Sequence, residues 1–188
     1  QNQFITMKDQ HYAAVNELDN ITVSYSDKAD NPDLRQRSLK SILTQIKRDT
    51  ELERIVDAIR SEPDKEKRKQ LKEENLPYFV LGTFKNNYRK SDNLISTQFI
   101  SIDFDNLNGN AVDLDKKLRA DENVFSYFKS PSNNRKVIYK LDRVITDKED
   151  YKNAYTQLLP MFTDRYGFET DPLTKDAARE IFLSFDPD

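Results

Sequence analysis

The chain has 188 residues, of which 36% are hydrophobic and 11% aromatic, enough to bury one domain or a compact core with an added module. Charged residues reach 34% and nearly cancel, leaving a formal net charge of -3. Nucleic-acid-binding proteins usually show a basic excess, so any such binding here must use a local basic face or metal ions. The absence of cysteine excludes disulfides, cysteine-ligated zinc and a thiol nucleophile.

The ends and the apolar runs of the sequence bear on where the protein resides. No apolar run is long enough for a membrane span, and no signal peptide opens the chain. The first residue is Gln1 rather than a methionine, which favours a chain trimmed at its start. These features predict a cytoplasmic protein without a membrane partner.

The first predicted domain, residues 1–76, is polar and mainly helical. A short strand is predicted at 21–25. Apolar residues between 34 and 59 then recur every three or four positions, which is typical of amphipathic helices. Pro63 interrupts this pattern at a point where a new helix can begin. The following residues, 65–74, are almost all charged, and we interpret them as a solvated helix face rather than a nucleic-acid-binding patch.

The second predicted domain, residues 77–188, begins with a strand at 78–81 and continues as strand, helix, strand, strand, helix, strand. The predicted bounds of these six elements are 97–105, 112–118, 123–128, 136–141, 147–166 and 180–185. Thr146 or Asp147 is the expected N-cap of the second helix, and Gly167 its end. This βαββαβ order predicts an α+β fold with a ferredoxin-like (RRM-like) antiparallel sheet, helices on one face and an open face for chemistry.

The first strand of this series ends in Asp-x-Asp. Because side chains alternate along a strand, Ile100, Ile102 and Phe104 are predicted to lie under the helices, and Asp103 and Asp105 on the open face. The Cβ atoms of two residues placed in this way are about 6–7 Å apart, and their carboxylates repel each other. A bridging Mg²⁺ or Mn²⁺ relieves the repulsion and suits two-metal phosphoryl transfer. A bare Asp-x-Asp is more often a turn signal, so the topology around it carries the hypothesis.

Three segments carry a resemblance to a known family: ISIDFD at 100–105, SPSNNRKVIYKL at 130–141 and ETDPLTKDAAREIFLSFDPD at 169–188. In this order they resemble the archaeo-eukaryotic primase superfamily, and most closely its primase-polymerase branch with VirE N-terminal-type domains. That branch includes CRISPR-associated primase-polymerases. The resemblance covers about residues 76–188 and includes LPYFVLGTF at 76–84.

The resemblance implies a DNA-dependent primase-polymerase. Such an enzyme transfers nucleotides from NTPs or dNTPs to a 3′-hydroxyl on a DNA template or primer, using two Mg²⁺ or Mn²⁺ ions. It also implies that other domains of a longer chain, or CRISPR adaptation proteins, are partners.

The resemblance also implies a set of site residues. Asp103, Asp105 and Asp171 would be catalytic and hold the metal ions, with Asp186 as the alternative third ligand. The nucleotide-binding residues would be Ser130, Ser132, Asn134, Arg135, Lys136, Arg179 and Ser184. Lys136 stands where much of the family has histidine, and the three residues before it stand where glycines are common. In a ferredoxin-like sheet the first strand lies between the third and the last, so Lys136 and Asp171 are expected to flank the aspartate pair.

Three other functions use a sheet of this type. An RNA-recognition-motif-type module carries aromatics on its central strands, whereas this chain has Asp103, Asp105, Lys136 and Lys140 there. A nucleotide cyclase has a glycine-rich turn, and this chain contains three glycines in all. A replication-initiator relaxase needs a histidine metal cluster, but the single histidine, His11, lies outside the predicted sheet. The primase-polymerase is therefore preferred, with the first two functions as alternatives.

Overall fold

The computed structural model describes residues 20–188 apart from 106, 108 and 169. His11, which was predicted to lie outside the sheet, is not among these residues. None of the described helices is both long enough and apolar enough to cross a membrane.

Five α-helices and eight β-strands make up a mixed α+β fold within the described residues. The helices are α1 Leu39–Arg48, α2 Thr50–Ser61, α3 Lys65–Asn75, α4 Ala111–Ala120 and α5 Lys148–Tyr166. The strands are β1 Thr22–Ser26, β2 Arg35–Ser38, β3 Tyr78–Val80, β4 Thr83–Phe84, β5 Leu94–Phe104, β6 Val124–Lys129, β7 Arg135–Ile145 and β8 Ile181–Phe182. Two of these strands, β2 and β4, were not predicted from the sequence.

Helix ends follow the capping residues read from the sequence. The side chain of Asp147 accepts the N–H groups of Glu149 and Asp150 at the start of α5, which confirms Asp147 as the N-cap. Gly167 ends the same helix with φ 75°, in the left-handed region that glycine adopts without steric cost. Asp64 caps α3, so the new helix predicted after Pro63 is also present.

The strands form two antiparallel sheets of four strands each, in the orders β2-β1-β3-β8 and β4-β5-β7-β6. The six-element order predicted from the sequence is present as β5, α4, β6, β7, α5 and β8. However, the predicted single ferredoxin-like sheet is not found among the described strands, because β8 pairs with β3 in the other sheet. The edge of β5 that β8 was expected to occupy is taken by β4, which a short connection joins to it.

The segment before β8 partly replaces the missing neighbour of β5. Thr170 forms an isolated antiparallel bridge with Phe104. The N–H of Asp171 donates to the carbonyl oxygen of Asp103 at 3.0 Å. Asp171 is therefore held beside the end of β5, as expected, although the strand that follows it joins the other sheet.

Both faces of β5 are buried, which corrects the predicted open face. Ile100, Ile102 and Phe104 are fully buried in a core that includes apolar residues of α4 and α5, so they lie under those helices as predicted. On the opposite face, Phe99 packs in a second core with residues of α1 and α2, and Ser101 is also buried. The sequence pattern did not show that a second layer would cover this face. Asp105, which directly follows the buried end of the strand, is exposed.

The second layer comes largely from residues before position 77. Strand β1 lies between β2 and β3 in the first sheet, so this sheet joins both predicted domains. Leu39, Ile42 and Val56, from α1 and α2, share a core with Phe99 and Ile138 of the second sheet. Backbone pairing and apolar packing thus cross the predicted boundary. Whether residues 77–188 form a domain that folds by itself stays a prediction.

Candidate functional site

A cleft with a volume of about 870 Å³ lies at the end of β5. Five parts of the chain line it: the end of β5, the turn before β7 with the first residues of β7, the segment from Asp171 to Phe182, one side of α3, and Arg89 in the connection between β4 and β5. The predicted site residues that line it are Asp103, Asp105, Ser130, Ser132, Asn134, Lys136, Asp171 and Arg179. Their roles stay predictions, but the fold brings these eight residues together.

The pairing of β5 with β7 places Asp103 directly opposite Lys136. Lys136 Nζ donates a hydrogen bond to Asp103 Oδ2, and the two side chains are 17% and 9% exposed. The other carboxylate oxygen, Oδ1, is buried and accepts no hydrogen bond from the described residues. A buried oxygen without a donor raises the free energy of the folded state, so a cation at this position would be stabilising.

Asp105 follows the last residue of β5. Asn134 Nδ2 donates to Asp105 Oδ1 at 2.5 Å, which ties the carboxylate to the turn before β7. Partial loss of hydration raises the pKa of Asp105, and the negative charge of Asp103 raises it further. The charge of Lys136 lowers this pKa, and that of Asp171 raises it. The three aspartates are therefore close enough to repel one another. Asp105 remains exposed, so solvent screens this repulsion.

Asp171, and not its alternative Asp186, lines the cleft with the aspartate pair. Its carboxylate lies 3.9 Å from the guanidinium of Arg179, which lines the same cleft. Asp186 lies in a second cleft and accepts the N–H of Lys129 at 2.6 Å. The fold thus places in this cleft the candidate that motif order favoured, and its role as the third ligand stays a prediction.

The turn before β7 is fixed by its own hydrogen bonds. Ser130 Oγ accepts the N–H groups of Ser132 at 3.2 Å and Asn134 at 3.1 Å. Asn133 has φ 65°, in the left-handed region that asparagine tolerates better than most residues other than glycine. This conformation explains how the chain makes the turn without the glycines common at these positions in the family it resembles.

The fold does not bring two of the predicted nucleotide-binding residues, Arg135 and Ser184, into this cleft. Arg135 neighbours Lys136 on β7, so its side chain points to the opposite face, where it binds both oxygens of Asp115 at 2.7 and 2.8 Å. Ser184 is fully buried, and its hydroxyl donates to the carbonyl of Lys129 at 2.6 Å. These contacts hold both side chains away from the cleft, and a nucleotide-binding role for either residue stays a prediction.

Two residues of the N-terminal region support the site, and the sequence analysis missed both. One guanidinium nitrogen of Arg60 on α2 lies within hydrogen-bonding distance of four acceptors, among them the carbonyls of Lys129 and Ser130. Lys72 on α3 donates to Ser132 Oγ at 3.3 Å. Burial lowers the pKa of Lys72, and the nearby charge of Lys136 lowers it further. No local pattern identifies either residue, because their partners are about 60 or more positions away in the sequence.

The chemistry of the cleft follows from its donors and charges. Carboxylate oxygens are the ligands that Mg²⁺ and Mn²⁺ prefer, and lysine and arginine side chains bind phosphate. Among the described residues, however, no three His, Cys, Asp or Glu side chains are close enough together to hold a metal ion. The donor chemistry therefore fits a divalent cation, while the side chains do not form a complete ligand set.

Comparison with protein families places the chain in the class of primase-polymerase-like domains. The matching family is described as BT4734-like, N-terminal domain, and its model covers residues 71–188, more than half of the chain, so the chain belongs to this family. The three cleft aspartates and the turn before β7 all lie within the matched segment. A comparison with curated proteins and one with solved structures each found no match.

Proposed function

We propose that this chain is the nucleotidyl-transferring domain of a DNA-dependent primase-polymerase. The observation that supports it best is that Asp103, Asp105 and Asp171 line one cleft together with Lys136 and Arg179, in a chain of a primase-polymerase-like family. The reaction would join the α-phosphate of an NTP or dNTP to the 3′-hydroxyl of a strand paired with a DNA template and release pyrophosphate. A link to CRISPR adaptation proteins stays a prediction of the resemblance.

Mg²⁺ or Mn²⁺ ions, held by Asp103, Asp105 and Asp171, would neutralise phosphate charge and make the attacking hydroxyl more acidic. Asp103 Oδ1 suits this role because it is buried and accepts no hydrogen bond from the described residues. The repulsion between carboxylates that raises the pKa of Asp105 also favours a bound cation, since a cation between the carboxylates would reduce the repulsion.

The protein's own side chains would position the nucleotide. Lys136 forms an ion pair with Asp103, and its ammonium is a compact point charge on a flexible stem that would neutralise a phosphate group. Arg179 lies 3.9 Å from Asp171 and has a side chain 44% exposed, so its guanidinium would reach a bound triphosphate. Asn134 orients the carboxylate of Asp105 through its hydrogen bond.

Primer extension with labelled nucleotides and Mg²⁺ or Mn²⁺ tests this proposal. Asp103→Asn, Asp105→Asn and Asp171→Asn each remove one anion while keeping the size of the side chain. Each should lower the rate of incorporation by about 100-fold or more, because loss of a ligand should cost at least as much as loss of an outer-sphere partner. Asp186→Asn is the matched control, since Asp186 lines the second cleft and should leave extension near the wild-type rate.

Thermal unfolding of each variant shows whether lost activity reflects lost structure. If Asp171→Asn extends primers normally and Asp186→Asn does not, the third carboxylate has been assigned to the wrong residue. If the wild-type protein incorporates no nucleotide but binds RNA without metal, the alternative recognition module is correct. Conversion of a nucleoside triphosphate to its cyclic monophosphate would instead support the cyclase alternative.

A further inference from the structure

One side of α3 presents a row of basic side chains to the cleft. Lys65, Arg68, Lys69 and Lys72 all line it, and we refer to these four residues as the α3 basic face. They occupy positions i, i+3, i+4 and i+7, which share one face of an α-helix. With a rise of about 1.5 Å per residue, the row extends about 10 Å along the helix axis.

Helix α3 contributes little to the core. It contains no buried residue, and Leu71 is its one partly buried apolar residue that packs against a core cluster. The helix is held by polar contacts at both ends: Arg68 donates to the carbonyl of Glu62 at 2.8 Å, and Lys72 donates to Ser132. Interior packing therefore does not explain why this helix borders the cleft.

The predicted solvated helix face accounts for only part of this arrangement. Lys67 fits it, because this residue is exposed and does not line the cleft. The α3 basic face lines instead the same cleft as the three aspartates. Glu66 and Glu73 also line the cleft, so four positive and two negative side chains of α3 border it, and α3 contributes a net charge of +2 there.

We propose that the α3 basic face binds the phosphate backbone of a single nucleic-acid strand and leads that strand to the three aspartates. This inference rests on the proposed function, which requires a template or primer strand at the site. The chain has a net charge of -3, so strand binding needs a local concentration of positive charge, and α3 provides one beside the site.

A single strand fits the dimensions better than the alternatives. A cleft of about 870 Å³ is comparable to a small-molecule pocket and cannot enclose a duplex. A row about 10 Å long extends past the contacts that one triphosphate needs near Lys136. Lys65, Arg68 and Lys69 also lie before residue 71, so the family match does not include them.

Fluorescence anisotropy with a labelled single-stranded oligonucleotide, in EDTA and without nucleotide, tests the inference. The test variant is Lys65→Ala with Lys69→Ala, and the matched control is Lys67→Ala with Lys116→Ala. All four lysines are exposed and both variants lose two positive charges, but neither control residue lines the cleft. The test variant should bind about tenfold or more weakly at low salt. The slope of log K against log salt should fall by about 1.4, since each lost phosphate contact on a single strand lowers it by about 0.7.

The control variant should keep the wild-type slope. Equal losses in the two variants would overturn the inference, because they would show a general charge effect. If the test variant loses binding of inorganic tripolyphosphate but binds the oligonucleotide as the wild type does, the inference is also overturned. The α3 basic face would then bind the triphosphate of the nucleotide. The assay needs neither metal nor catalysis. An inactive wild-type protein whose strand binding still depends on Lys65 and Lys69 would contradict the proposed function and leave the strand-binding surface supported.

Discussion

At the scale of single residues, Asp103 and Asp105 lie two positions apart in quite different surroundings. Asp103 is buried and forms an ion pair with Lys136 across the strand pair. Asp105 is exposed, accepts a hydrogen bond from Asn134, and has a raised pKa. The surroundings of Asp105 therefore disfavour its charged form. A carboxyl group with a raised pKa is common where proteins bind cations or transfer protons.

The raised pKa of Asp105 predicts a pH-dependent effect of Asp105→Asn on stability. Because the folded-state pKa is above the unfolded value of about 3.9, ionisation costs more in the folded protein. The stability associated with the protonated carboxyl is fully present below the unfolded pKa and is lost as pH rises through the folded pKa. Asp105→Asn avoids this loss, so the variant should unfold at a higher temperature than the wild type at pH 7 and at the same temperature near pH 3.

Thermal unfolding at both pH values measures this effect. Asp142→Asn is the control, since Asp142 is exposed and lies outside the cleft. If Asp105→Asn changes the unfolding temperature by the same amount at pH 3 and pH 7, charge repulsion is not the cause of the change.

At the scale of secondary-structure elements, α2 supports the cleft without lining it. Arg60, near the end of α2, has a side chain that is 13% exposed. Its guanidinium joins the end of β6 and the turn before β7 to the segment after β8, through the carbonyls of Lys129, Ser130 and Phe185 and the hydroxyl of Ser184. One terminal nitrogen of the guanidinium makes all four contacts, and the buried Nε donates to none of the described residues. Without Arg60, the Lys129 carbonyl would keep the hydroxyl of Ser184 and the Ser130 carbonyl the N–H of Asn133, but the Phe185 carbonyl would lose this charged donor.

Arg60→Ala should therefore lower the free energy of unfolding by about 1.5–3 kcal/mol, the net contribution typical of a hydrogen bond made by a charged group. Urea denaturation measures this change. Arg54→Ala is the matched control on the same helix, where the side chain is 71% exposed and pairs with exposed Glu51, so little change is expected. Equal effects of the two substitutions would show that the Arg60 contacts do not stabilise the fold.

At the scale of the whole molecule, the two sheets depend on each other. β1 is an inner strand of the first sheet, and the second sheet buries Phe99 and Ile138 against residues of α1 and α2. The end of β5 forms part of the cleft, and the covered face of β5 forms part of this shared core. The position of the aspartates therefore relies on residues that lie before the segment matched by the family model.

A fragment of residues 71–188 should consequently fail to fold as a cooperative unit. It lacks β1, β2, α1 and α2 and would expose Phe79, Phe99 and Ile138, which are at most 6% exposed in the intact protein. Circular dichroism during heating, with amide chemical-shift dispersion, checks this expectation. A fragment of residues 20–188 keeps every described element and should unfold cooperatively. If the 71–188 fragment does so too, the domain boundary predicted at residue 76 is correct.

The amino-acid sequence by itself determined the features that depend on neighbouring residues. Alternating apolar residues identified β5, and Asp147 and Gly167 set the ends of α5. The position of Asp103 at the end of a buried strand was also evident. These signals are local, because strand alternation and helix capping act over two to four residues.

Only the tertiary structure decided which distant segments meet. Contacts between residues far apart in the sequence decide that β8 pairs with β3 and that a second layer covers Phe99. They also turn Arg135 away from the cleft and place α3 beside it. A strand of two residues such as β8 has a weak preference of its own and pairs with whichever edge is available. Likewise, the amino-acid pattern of a charged helix is the same whether the helix faces bulk water or a cleft that contains aspartates, so the pattern does not predict the neighbour of the helix.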